Sequence, residues 1–458
     1  MIEDKRGLGL TTTSEDTAKA FDETLERYLE YRLSIGQSVK AMLAADPDFV
    51  MGHALVGYLM MAKATPDGVE AAKISLGKAE PGVGQTSLRE QRHVAALRAW
   101  VTGELDRAVR IWEEIAADHP LDLLALRLAH FQSFWLGRQQ AMRNVVARSV
   151  AMWDETTPRY GDVLGMLAFG HEETGDYPRA EALGRKAVDL NGEDLWSIHA
   201  VAHVLEMQGR HGDGLGWLDF PKDRWADRAA MRTHIWWHKS LFHFERGEAD
   251  AVLQLYDEVV DPGDDFYYID MQNCASLLAR LELTGHSVGD RWSYLAERAA
   301  SWTDNRQMTF TDAHTIIPLA RTGRPEARDH LEALTAFARQ PGHALAERVG
   351  DLVLPVCQAI EAFYREDFDR TVDLLWPIKD QLTPIGGSHA QRDVFELFLL
   401  EAALRSGRFG QARAIASERI VLREHSHGSW LKYAEALSGL EDEAGARQAR
   451  ERAELVRH

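Results

Sequence analysis

Apolar residues recur along this chain at helical spacing. LDLLALRLAHFQSFWL (Leu121 to Leu136) and DVLGMLAFGHEET (Asp162 to Thr174) carry them three to four positions apart, and each run stops at a glycine. After the glycine comes a shorter amphipathic stretch such as YPRAEALGRKAVDL (Tyr177 to Leu190), ending in Asn, Asp or Pro turn residues. The glycines are themselves periodic. Gly103, Gly137, Gly175, Gly209, Gly247, Gly285 and Gly323 are separated by 34, 38, 34, 38, 38 and 38 residues. The pattern returns at Gly407, with a degenerate copy at Glu366.

A period in this range marks a helix-turn-helix repeat array. Calling the helix before each glycine A and the one after it B, the expected fold is all-α, a right-handed superhelical solenoid whose A helices line the concave face. No segment alternates apolar and polar residues between turn signals, so no sheet is expected. The array reads as one continuous domain over residues 1–458. Residues 1–100 form divergent N-terminal helices, 101–330 the regular repeats, and 331–458 the C-terminal repeats and cap.

Composition narrows the partners. The formal charge is -19 and no Lys/Arg cluster occurs, which argues against nucleic acid and anionic membranes. The N-terminus has no apolar signal segment, and no stretch of about eighteen apolar residues appears, so a cytoplasmic location is expected. Cys274 and Cys357 are too few for a disulfide framework or a thiolate zinc site and read as reduced thiols.

Several blocks are more specific than a generic repeat. DPDFVMGH (Asp46 to His53), GMLAFGHEETGDYPRAE (Gly165 to Glu181), DLWSIHAVAHVLEMQGR (Asp194 to Arg210), HIWWHKSLFHFERGE (His234 to Glu248), ASLLARLEL (Ala275 to Leu283) and GGSHAQRDVFE (Gly386 to Glu396) resemble the tetratricopeptide-repeat-38 family over nearly the whole chain. The resemblance implies a tetratricopeptide-like superhelix and carries no established reaction with it.

Histidines supply the candidate chemistry. His199 and His203 stand at i and i+4 with Glu206 at i+7, sharing one helix face. The next A helix carries His234 and His238, then His243. His199 lies ten residues before its repeat glycine, and His238 and His314 nine before theirs. Equivalent offsets in stacked repeats predict that His199, His238 and His314 open into one cavity, with His203 and His234 beside them. Asp270, opening the intervening A helix, is expected to join. In this reading the five histidines are proton-transfer groups or metal ligands, and Glu206 and Asp270 orient them. A divalent metal, if bound, takes His199, His203, His234 and His238; no other cofactor motif is evident. HAVAHVLE is not the metalloprotease pattern, because Glu206 follows the second histidine. The alternative is that these histidines are buried between helices and hydrogen-bonded to backbone or to Glu206.

Trp237 and Tyr268 are candidate walls of a small-molecule pocket, whereas Trp236 reads as packing. Arg392 is placed either to bind a substrate carboxylate or phosphate or to pair with Asp393 or Glu396. Pro318, four residues after His314, removes the helical donor from the His314 carbonyl or simply kinks its helix. Two functions stay open. One is a small polar molecule bound, and transformed by acid/base or metal-assisted hydrolysis or elimination, in a His/Trp/carboxylate pocket. The other is a non-catalytic adaptor gripping a peptide or protein. The expected partners are thus a small molecule or a peptide, with a homodimer left open.

Overall fold

The computed structural model describes residues 1–340 and 344–456. The chain folds into antiparallel helical hairpins: α1 (Glu15–Leu29) with α2 (Ile35–Ala45), α3 (Val50–Met61) with α4 (Pro66–Ala79), α5 (Leu88–Val101) with α6 (Leu105–Asp118), α7 (Leu123–Trp135) with α8 (Gln139–Ser149), and α9 (Tyr160–Glu172) with α10 (Tyr177–Leu190). Then come α11 (Leu195–Met207) with α12 (His211–Trp217), α13 (Met231–Glu245) with α14 (Ala249–Leu255), α15 (Tyr268–Leu283) with α16 (Arg291–Ala300), and α17 (Thr309–Arg321) with α18 (Glu326–Ala338). A short helix α19 (Ala344–Arg348) runs through a π-turn into α20 (Leu354–Tyr364), which pairs with α21 (Phe368–Leu375). The chain closes with α22 (His389–Arg405), α23 (Phe409–Leu422), α24 (His427–Gly439) and α25 (Glu443–Val456). Two compact units result: residues 1–201 with 223–232, and residues 202–222 with 233–458. The division falls inside α11.

Each hairpin turns on a left-handed residue. All eight repeat glycines have positive φ, from 66° at Gly323 to 87° at Gly285. The following N–H reaches five residues back, as in Arg138 N to Ser133 O (2.8 Å) and Glu248 N to His243 O (2.9 Å), which satisfies the last carbonyls of each A helix. The degenerate position behaves alike: Glu366 has φ 63°, and Asp367 N bonds Ala362 O. Tyr31 (φ 57°), Ala64 (φ 52°) and Glu441 (φ 64°) do the same work in hairpins where the sequence offers no glycine. The repeat therefore extends through the divergent N-terminal region and to the end of the described chain.

Burial separates the two helix classes. Every residue of α7 but Phe131 is buried, and every residue of α15 but Glu282. B helices bury only a stripe, such as Ala180, Gly184 and Ala187 in α10. An A helix packs against its own B helix and against neighbouring A helices, as α15 does with α16 and α17. Its polar residues therefore have no route to water and must find partners inside.

The second unit also closes on itself. α15 contacts α22 although three hairpin turns separate them in sequence. Arg280 Nη2 donates to Ala390 O (2.6 Å), and Gln391 Nε2 donates to Gln272 Oε1 (3.2 Å). Pro318 lies inside a continuous α17. Cys274 and Cys357 are free and buried.

One small sheet departs from the all-helical expectation. Ile2–Glu3 pairs antiparallel with Gly9–Leu10. Its turn is held by the Asp4 carboxylate, which accepts from Arg6 N and Leu8 N, with Gly7 at φ 79°. Two-residue strands are too short to show alternation in sequence.

At Gly247 a Cβ would meet nothing within 4 Å, so Gly247→Ala tests backbone strain alone. It should cost about 1–2 kcal/mol. Glu366→Gly should instead gain about 0.5–1 kcal/mol, the strain relieved less the entropy added. Urea midpoints of the two variants should move in opposite directions.

Candidate metal centre of the second unit

Three consecutive A helices of the second unit bring their polar residues together. α11 supplies His203 and Glu206, α13 supplies His234, Trp237 and His238, and α15 supplies Asn273, Ser276 and Arg280. One ring nitrogen of each of His203, His234 and His238 lies within 4.8 Å of the others. The His238 ring centre is 4.3 Å from that of His203 and 4.8 Å from that of His234. All three side chains are buried.

Two of the rings are held from outside. His234 Nδ1 lies 2.8 Å from Asn273 Oδ1, an oxygen that can only accept, so Nδ1 carries the proton. His238 Nδ1–H donates to Glu206 Oε2 at 2.9 Å. In both rings the lone pair is then on Nε2. Trp237 stacks flat on His234, 5.1 Å between centres and 12° between planes, and its indole N–H donates to Ser276 Oγ (3.1 Å). The Arg280 guanidinium lies over the other part of this wall, 5.6 Å from the Trp237 ring.

The electrostatics keep the imidazoles neutral. Burial pushes His203 and His234 well below the usual histidine range, and the neighbouring rings add to it. His238 falls to about 3 through burial and the Arg280 charge. Burial raises Glu206 to about 7, and the Arg423 and Arg280 charges hold it from going higher. Neutral imidazole is the ligand form. Nitrogens around a tetrahedral zinc ion stand about 3.3 Å apart for Zn–N of about 2.0–2.1 Å, so the three rings need shifts of order 1 Å to share an ion.

The other expected residues have partners of their own. His199, one turn before His203 on α11, belongs to the first unit, where its ring is 5.2 Å from Phe169 and 5.3 Å from Trp196. His314 does not join the histidine group. Its Nδ1–H donates to Phe310 O (2.9 Å), and the ring sits between Phe310 and Phe395 at 4.6 and 5.2 Å. Equal offsets from the repeat glycines gave it the right depth but not the right face. Asp270 is a helix cap: its carboxylate accepts from Tyr267 N (2.8 Å) and Thr233 Oγ1 (2.5 Å). Tyr268 opens α15 and is buried. Arg392 Nη1 donates to the carbonyls of Gly386 (3.4 Å) and Gly387.

Asp393 pairs with other arginines. Arg419 Nη1 is 2.6 Å from its Oδ1, Arg423 Nη1 3.2 Å, and Arg280 Nη2 3.7 Å from Oδ2. Sequence reading passed over these groups, although two signals were there. Asn273, Ser276 and Arg280 stand at i, i+3 and i+7, one polar stripe in an apolar helix. Arg419 occupies the buried stripe of α23 with Ala412, Ile415 and Ala416, where a B helix should be apolar.

No family model matches the chain. Among solved structures, a human IFIT1 dimer with PPP-AAAA is 15% identical, with 97% of this chain and 95% of that chain covered and a TM-score of 0.40. The P58(IPK) TPR domain is 13% identical at 81% and 93% coverage, TM-score 0.23. The Naa15/Naa10 structure bound to HypK-THB is 12% identical at 96% and 63% coverage, TM-score 0.25. At such scores the likeness carries no argument about ligands.

The three guanidiniums hold the Asp393 carboxyl well below the usual carboxylate range, against the cost of burial. Its folded pKa is below the unfolded one, so it adds stability that is complete above about pH 4 and lost as pH falls further. Asp393→Asn leaves buried cations without their acceptor. It should cost about 3–5 kcal/mol at pH 7 and flatten the acid limb of a pH–stability curve.

Proposed function

We propose that this protein is a tetratricopeptide-like helical-repeat metalloprotein whose divalent ion, held by His203, His234 and His238, acts on a small polar molecule. The observation that carries this reading is the pair of outer hydrogen bonds, Glu206 to His238 Nδ1 and Asn273 to His234 Nδ1. Packing alone does not require two adjacent rings to be fixed in the same tautomer through outer hydrogen bonds; metal sites do. Three imidazoles leave a coordination position for water or substrate, the ligand set of hydrolytic and lyase zinc sites. There an ion lowers the pKa of bound water or polarises a carbonyl or phosphoryl oxygen. Trp237 gives the centre an apolar wall, and Glu206 holds His238 so that the ring does not turn when it binds.

The adaptor reading keeps one observation of its own. A groove of about 390 Å³ lies between the ends of α13, α15, α22 and α24, with Leu281, Leu397, Leu400 and Leu431 inside and Glu245 and Glu435 among its polar residues. Four leucines suit the apolar side chains of a partner segment more than a small polar molecule.

Stripped of metal and titrated with Zn²⁺ or Co²⁺, the protein should take up one ion per chain by mass spectrometry of the dialysed sample. It should then melt later, by the equivalent of about 2.7 kcal/mol at a hundredfold excess over Kd. Glu206→Gln should weaken uptake about 10–100-fold, and His238→Ala by more. Failure to retain Zn²⁺, Co²⁺, Ni²⁺ or Fe²⁺ would overturn the metal reading and leave the leucine-lined groove as the functional surface.

A further inference from the structure

A second cavity of the same unit, about 290 Å³, lies between α22 and the end of α23. Arg392, Asp393 and Glu396 line it from α22, Arg419 and Arg423 from the other side, and Met207 from the last residue of α11. Met207 follows Glu206, the partner of His238, and the Arg423 charge acts on Glu206. This cavity therefore reaches the residue next to the partner of His238 on α11.

Its chemistry is cationic on the inside. Lys379 at the edge is met by Asp380 (2.8 Å) and Glu418 (2.9 Å), which leaves the arginines to define the interior. Arg419 and Arg423 share Asp393 with Arg280, so one carboxylate serves three guanidiniums. Glu396 also accepts from Arg419 (3.0 Å), but burial raises its pKa and so weakens it as a standing charge. A guanidinium has five N–H donors, and two carboxylates cannot serve them all. Arg419 shows the surplus directly: its side chain is 4% exposed and its Nε–H is buried with no acceptor. A buried N–H without an acceptor costs about 1–3 kcal/mol and is retained where a ligand supplies the acceptor. Planar forked donors match an oxyanion, carboxylate or phosphate, better than any neutral group.

We infer that this cavity is an oxyanion site, in which Arg419 and Arg423, with Arg392 at the wall, hold the carboxylate or phosphate of a small molecule. The volume is at the low end for small-molecule sites, of order 300 Å³, which suits a short acid or phosphate ester and not a peptide. Taken with the metal reading, on which this step rests, the substrate class becomes a small anionic molecule. Its charged end would be fixed by the arginines, and the rest directed toward Glu206 and the histidines.

The test uses the full-length, metal-free chain, with inorganic phosphate and succinate as probes and sodium chloride at equal ionic strength as control. One of the two oxyanions should raise the melting temperature and bind in calorimetry while chloride does neither. Which of them does so separates a phosphate from a carboxylate site. Arg423→Met, with an unchanged far-UV spectrum, should weaken that binding at least about tenfold, equivalent to 1.4 kcal/mol. Arg423→Lys, which keeps the charge but loses the fork, should fall between. Two results overturn the site: neither probe exceeding chloride, or Arg423→Met binding the effective probe as tightly as the parent. Zinc uptake of the parent and of both variants is read separately. If phosphate or succinate binds but no chain takes up zinc, the oxyanion site stands and the metal-dependent step falls.

Discussion

One carboxylate holds the second unit closed. Asp393 on α22 accepts from Arg419 and Arg423 and attracts Arg280 of α15. These residues come from three stretches of chain far apart in sequence. Without this charge the guanidiniums of Arg280, Arg419 and Arg423 would be buried together, a repulsion that apolar packing would have to overcome. With it, Arg280 can also donate to Ala390 O at 2.6 Å while lying over Trp237, 5.6 Å from its ring. The histidine group is thus built against a wall whose position Asp393 sets. Replacing such a network by apolar residues is often neutral for stability, so its retention here points to the placement of Arg280 as the thing it secures.

The fold was legible because its punctuation is chemical. A glycine at each A-helix end is required by a φ of 66–87°, and that requirement repeats at the hairpin period. Where Tyr31, Ala64 and Glu441 adopt the same conformation, the period had no letter to mark the turn, although helices were expected in both terminal regions. The N-terminal strand pair escaped for a different reason, since it is made by the Asp4 carboxylate and not by any pattern of apolar residues.

The candidate site was half legible. An i, i+4 spacing fixes which side chains share a face, and it put His234 with His238, and Glu206 with His203, correctly. It does not say which face of one helix meets which face of the next. His314 was lost on that step: at nearly the same depth as His238, it turns instead between Phe310 and Phe395. On α15 the helix was right and the residue was not. Asp270 stands where a first-turn acid caps its own helix, whereas Asn273, one turn on, reaches His234.

The clamp on His234 also bears on time. Asn273 fixes one edge of the ring and Trp237 covers its face, while Glu206 fixes His238, so both rings are held in place. His203 and His238 are wholly buried, and His234 nearly so. An ion could enter or leave only when a hairpin opens locally, and such openings are as rare as the stability of that hairpin makes them. Occupancy would then be settled as the chain folds, by whichever ion is present at that moment. Afterwards the protein would keep a record of the metal supply under which it was made.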